Sequence, residues 1–165
     1  MEKLTIGQAE KLTSPNPFAI LTVAAPSGET NVMAISWWNY ASNHPATVTA
    51  CLSKKGFSGS CIAESGHFGL SIVGEGLEEA AFRAGTCSGR SGGKAELLGL
   101  PLTDEMNAPQ KMVAGSRLWL ACKLVNTLDV GDHVLYVGEV EDIMGDASVK
   151  GLYAMDGYAR LSVVE

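Results

Sequence analysis

The stretch Ser116-Arg-Leu-Trp-Leu-Ala-Cys-Lys-Leu-Val-Asn-Thr-Leu128 alternates along its length, with Leu118, Leu120, Cys122, Leu124 and Asn126 on one face. A period of two marks a strand with one side turned to a core. Gly131-Asp132 follows as a turn, and His133 to Ile143 reads as a second long strand. Two long strands joined by a tight turn make the chain β-rich at its centre.

The segments on either side extend that pattern. Phe18 to Ala25 is apolar on both faces and rich in β-branched residues, Pro26-Ser-Gly-Glu29 is a turn, and Thr30 to Asn39 returns as a second strand, which predicts a hairpin. Ser42 to Thr47 is expected to be a loop, Val48 to Ser53 a strand, Lys54 to Ser60 a polar loop, and Cys61 to Glu64 a short helical stretch. Phe68 to Val73 is a further strand. Leu77 to Ala84 is the clearest helix, with Leu77, Ala80, Ala81 and Ala84 on one face. Gly85 to Gly93 reads as a loop, and Pro101 and Pro109 exclude a continuous helix across residues 94 to 114. The first fourteen residues carry a weak helical pattern, and the tail from Val149 contains the strand-like Leu161 to Val164. Six or seven strands with two helices point to a mainly β fold, a closed or partly closed barrel with a few short helices.

The 165 residues suit a single domain, 1–165. Apolar residues make up 46% and charged residues 18%, too hydrophobic and too sparsely charged for a disordered chain. The net charge of −6 speaks against nucleic-acid binding, because phosphate backbones recruit the opposite sign. No apolar run approaches the ~20 residues that span a bilayer, and the N-terminus lacks the apolar core of a secretory signal. Four cysteines, at 51, 61, 87 and 122, show no C-x-x-C spacing, so free thiols and a cytoplasmic location are expected. Three scattered histidines offer no metal-ligand spacing, and no metal is expected.

Two loops combine cations, hydroxyls and glycines: Ser53-Lys54-Lys55-Gly56-Phe57-Ser58-Gly59-Ser60 and Ser88-Gly89-Arg90-Ser91-Gly92-Gly93-Lys94. They hold four of the twelve Lys and Arg residues, and each offers backbone N–H groups beside positive charge, as a phosphate requires. The same composition also suits solvated turns. The second loop is not a Walker A motif, since Ser88 stands at the first glycine position and Ala95 at the required hydroxyl. Trp37 and Trp38 are adjacent on a strand, so one can fill the core while the other faces a ligand or a second subunit; a thick core could also take both.

Taken in order, PFAILTVAAPSGETNVMAISWWNYAS, SKKGFSGSCIAESGHFGLSIV, CSGRSGGK and LACKLVNTLDVGDHVLYVGEV resemble four blocks of the flavin reductase-like family, the FMN-binding split barrels that include flavoredoxins and NAD(P)H:flavin oxidoreductases. The resemblance runs from Pro17 to about Arg160. It implies that Asn31, Met33, Ala34, Ile35 and Ser36 lie along the flavin ring and ribityl chain, and that Trp37 and Trp38 help close the site or a dimer. By the same resemblance Ser53, Lys54 and Ser58 would meet the phosphate with Phe57 beside it. Ser88, Gly89, Arg90 and Lys94 would complete the pocket, and Tyr158 would match a late aromatic near the ring. His133, from the G-D-H motif, is the candidate catalytic residue; a structural histidine beside a turn is the alternative. Gly56 and Gly93 stand where many members carry an arginine and an acid.

The resemblance implies a homodimer in which FMN, or FAD, takes hydride from NAD(P)H and passes electrons to an acceptor, including a possible redox partner protein. An FMN-containing electron carrier without a nicotinamide site is the second expectation. A split barrel for another ligand such as haem, or with a structural role, is the third.

Overall fold

The computed structural model describes residues 1–164. Its helices are α1 (Ile6–Leu12), α2 (Phe57–Ser65), α3 (Glu78–Arg83) and α4 (Lys94–Leu98). Its strands are β1 (Asn16–Pro17), β2 (Ala19–Ala24), β3 (Thr30–Ile35), β4 (Trp38–Asn43), β5 (Ala46–Ser53), β6 (His67–Val73), β7 (Leu102–Thr103), β8 (Met112–Val113), β9 (Ser116–Val130), β10 (His133–Gly145), β11 (Leu152–Met155) and β12 (Arg160–Val163). The mainly β expectation holds.

Seven strands form one antiparallel sheet in the order β3-β2-β6-β9-β10-β5-β4. Its two edges, β3 and β4, are consecutive in the chain and joined only by Ser36 and Trp37. Ile35 and Trp38 are three Cα steps apart, no more than about 11 Å, so the sheet must curl until its two edges come together at that end. The curl is helped by bulges in the β9–β10 ladder, at Val137/Gly138 and Val140/Asp142, because an extra residue in one strand bends and twists the pair.

The closure corrects one expected strand. Thr30 to Asn39 is not continuous: β3 pairs with β2, the chain breaks at Ser36-Trp37, and β4 pairs with β5 on the other edge. The expected loop from Ser42 to Thr47 shrinks to a turn at His44-Pro45 between β4 and β5. Helix α2 begins at Phe57 rather than Cys61 and stops at Gly66, whose φ of 69° fits a left-handed C-cap. The region after Gly93 contains the short helix α4, and the tail supplies two strands, β11 and β12, that pair with each other.

β2 is buried on both faces, which explains its unbroken apolar character. Leu21 and Val23 point into the barrel with Val48, Leu52, Phe68, Leu70, Leu120, Cys122 and Trp38, plugged by Ile62 of α2. Ile20 points outward to a second cluster with Val32, Ala81, Leu98 and Leu152, under α3, α4 and β11. Helices α2 and α4 thereby end up on either side of β3. That arrangement brings the two cationic loops together. None of the described helices is long and apolar enough to cross a membrane.

Candidate functional site

Two adjoining cavities lie over β3. The smaller, about 320 Å³, is lined by Asn31, Met33, Ala34, Phe57, Ser58, Gly89 and Lys94, with Lys55, Gly56 and residues 84–88. The larger, about 450 Å³, continues past Asn31 to Thr30, Glu29 and the Pro26-Ser27 turn, under Arg90 to Gly93. Asn31, Phe57, Gly89 and Lys94 belong to both.

At the junction, Asn31 donates from Nδ2 to Ser58 Oγ at 2.9 Å, and its buried Oδ1 has no partner. Gly89 passes so close that a Cβ there would overlap Asn31 Oδ1, so only glycine lets this loop settle against β3. Lys94 is 6% exposed, and its Nζ donates to the Ala84 carbonyl at 2.7 Å. Among the described residues no carboxylate pairs with it. Burial lowers the pKa of this ammonium, which is the mark of a cation taken out of water without a counter-charge. Arg90 ties the two cationic loops together: Nη2 donates to the Lys55 carbonyl at 3.0 Å, and the guanidinium carbon lies 5.6 Å from the Phe57 ring centre.

A third, shallower depression of about 350 Å³ lies at the other end of β3, lined by Ser36, Trp37, Cys51 and Leu135. Trp37 is 48% exposed and packs against His133 with the ring centres 4.9 Å apart and tilted by 37°, whereas Trp38 is buried, so the two indoles do divide between surface and core. His133 Nδ1 lies 2.7 Å from Asp132 Oδ1, and this contact holds the Asp132 carboxyl below the usual range. His133 lines neither of the two cavities. From Asn31 to Ile35 β3 covers about 13 Å before the chain turns at Ser36-Trp37.

Of the remaining candidates, Ile35, Ser53, Lys54 and Tyr158 lie apart from the two cavities. Ile35 turns its side chain into the barrel core. Ser53 is exposed at the end of β5 opposite His133, and Lys54 pairs with Asp129 at 2.9 Å. Lys55, not singled out from sequence, is the neighbour that lines the smaller cavity. Tyr158 stacks on Phe82 at 5.2 Å and donates to the Phe82 carbonyl at 3.0 Å; burial pushes its phenol up to about 12. It packs beneath Gly85, where an added Cβ would come within 2.8 Å of its hydroxyl oxygen. Ser88 lines the smaller cavity and accepts from the Arg90 backbone N–H at 3.3 Å. Sequence reading also passed over Glu29, whose Oε2 accepts from Gly93 N–H at 3.3 Å, and the exposed Cys87 on the smaller cavity's rim. All four cysteines are free.

An uncharacterised protein of Archaeoglobus fulgidus is 30% identical over 122 residues, covering 73% of this chain and 69% of its own length. Among solved structures, the NADH:FAD oxidoreductase SgcE6 of Streptomyces globisporus superposes with a TM-score of 0.86 at 18% identity, covering 100% of this chain and 99% of that one. The flavoredoxin of Desulfovibrio vulgaris gives 0.86 at 22% identity, covering 100% and 94%. The flavin reductase of the Pseudomonas putida styrene monooxygenase gives 0.83 at 20% identity, covering 98% of each chain. At these identities the superpositions establish the shared split-barrel fold. The family model described as "Flavin reductase like domain" matches residues 12–162, and the chain therefore belongs to the flavin reductase-like family.

Proposed function

We propose that this protein is a flavin-dependent oxidoreductase whose bound flavin, FMN or the FMN half of FAD, is reduced by NAD(P)H and hands electrons to a further acceptor. The observation that carries the reading is Lys94. A buried ammonium met by one carbonyl is an incomplete electrostatic arrangement, and a phosphate at the junction of the two cavities completes it. The unpartnered Asn31 Oδ1 beside it supplies an acceptor for a ribityl hydroxyl. The residues present therefore fit a flavin phosphate.

When bound, the flavin supplies the hydride chemistry; the protein supplies position and electrostatics. Lys94 neutralises the phosphate, while Arg90 holds the two loops at a fixed separation over it. Met33 and Ala34 offer a flat apolar wall for the ring system, and the Ser36-Trp37 corner ends that wall. His133, fixed by Asp132, presents its ring beside Trp37, where it orients the nicotinamide. Trp37 and Tyr40 are exposed next to this open end, which supports a homodimer that covers it. Free cysteines, one of them exposed, support a reducing, cytoplasmic setting.

One experiment on the purified protein tests the reading. Anaerobic flavin-loaded protein should lose its yellow absorbance on addition of NADH or NADPH. Indifference to both assigns it instead as an electron carrier, and failure to bind any flavin overturns the proposal. In the same titration Lys94→Ala should weaken FMN about ten- to a hundredfold while leaving riboflavin nearly unchanged, as expected for a lost charge-assisted bond of about 1.5–3 kcal/mol.

A further inference from the structure

A separate cavity of about 400 Å³ lies where the barrel's inner cluster meets the outer one, with Trp38, Ile72 and Leu118 on the first side and Phe18 and Leu152 on the second. It shares no lining residue with the two cavities over β3. It adjoins the shallow depression beside Trp37, and Pro17, Trp38 and Asn39 line both.

Its walls are largely apolar, and its charged groups are both cations. Trp38 is 9% exposed, and its Nε1–H is buried without a hydrogen-bond partner. Arg117 and Lys150 are exposed at the rim. The Arg117 stem lies on Gly151, where a Cβ would come within 3.2 Å of its Cδ, and Nη1 donates to the Ala147 and Val149 carbonyls. The rest of that guanidinium and the Lys150 ammonium have no partner among the described residues. No acidic side chain lines the cavity among them, although the chain carries 18 Asp and Glu against 12 Lys and Arg. Asp146 is near enough for Arg117 to lower its pKa, but its carboxylate accepts from the N–H and Oγ of Ser148.

A buried N–H without an acceptor is costly, so an oxygen brought to it gains the full bond. Two cations without an acid between them select an anion, and a carboxylate suits a guanidinium best, through charge-assisted bonds. A bare ion would leave the apolar walls against water, whereas a flat organic body covers them.

We infer that this cavity binds an organic carboxylate with a flat apolar body. Arg117, Lys150 and the Trp38 N–H meet the carboxylate, and Phe18, Leu118 and Leu152 meet the body. The site is independent of the flavin reading above.

The chain has three tryptophans, so a nitrogen-15 spectrum shows three indole N–H signals, and Trp37→Phe and Trp119→Phe identify that of Trp38 by elimination. Titrating the whole protein with benzoate should move the Trp38 signal downfield along a saturable curve. Acetate lacks the body and benzyl alcohol lacks the charge, and each should bind at least about tenfold more weakly. Lys150→Gln changes a side chain that holds nothing else in the fold and should weaken benzoate about three- to tenfold. Excess FMN should leave the benzoate curve within about twofold. No saturable shift, an unchanged curve in Lys150→Gln, or displacement of benzoate by FMN overturns the inference. So does acetate, benzyl alcohol or inorganic phosphate binding as tightly as benzoate, since the cavity would then select the charge or the body alone.

Discussion

Lys94 holds an ammonium inside the protein with a single carbonyl oxygen to meet it, and this has a cost in stability. Burial lowers its pKa in the fold, so between the folded and unfolded values the unfolded chain binds more protons. Stability should therefore rise with pH across that alkaline window, and the whole cost is present below it. Lys94→Met removes the charge at similar volume. Its melting temperature without ligand should exceed that of the unaltered protein by several degrees at pH 7, for a gain of about 1 kcal/mol or more, and the difference should shrink as pH approaches the ordinary lysine value of about 10.4. Thermal denaturation at pH 7 and pH 10 checks both. Equal melting temperatures at pH 7 would mean that the ammonium is well solvated.

Among the elements, the β9–β10 hairpin is held to the barrel by close packing at Gly138, where an added Cβ would come within 2.5 Å of the Phe68 ring and 2.9 Å of Cys122 Cβ. Both neighbours are fully buried, so neither can step aside. Gly138→Ala should cost about 1–3 kcal/mol, read as a lower urea midpoint at constant slope. This hairpin was legible in sequence because its apolar residues alternate from Leu118 to Leu124, although Ala121 and Trp119 on the other face pack in a small cluster of their own; past Leu124 β9 runs on into solvent, where Asn126 faces water. The break at Ser36-Trp37 was not legible, since it follows from closing the sheet and nothing local marks it. The start of α2 was hidden because Gly56 caps it without a side-chain hydrogen bond, and the five-residue α4 begins at Gly93 in the same uncapped way. Of the candidate site, the two loops could be read from composition. The choice between Lys54 and Lys55 could not: after β5 ends, one points to Asp129 and the other to the cavity. Lys94's lack of a counter-ion is likewise a property of the folded neighbourhood.

At the scale of the whole molecule, the exposed Trp37 and Tyr40 and the apolar outer residues of β9, Val125, Leu128 and Val130, leave more uncovered apolar surface than one copy needs. A second copy should cover the Trp37 end. Light scattering should give a mass near twice 17.3 kDa, and Trp37→Glu should reduce it towards a single chain. The two-residue join between β3 and β4 has a different kind of consequence, in the time the chain takes to fold. The pairings β2–β3, β4–β5, β7–β8, β9–β10 and β11–β12 join neighbours in the chain, whereas β5 finds β10, and β6 finds β9, across long intervening stretches. Such pairings lose loop entropy before any contact repays it, which places the chain among slow, late-closing folders. Because Ser36-Trp37 already ties the two edge strands together, the remaining strands must be fitted between them, and until β5 has found β10 and β6 has found β9 the apolar interior stays open to other unfinished chains.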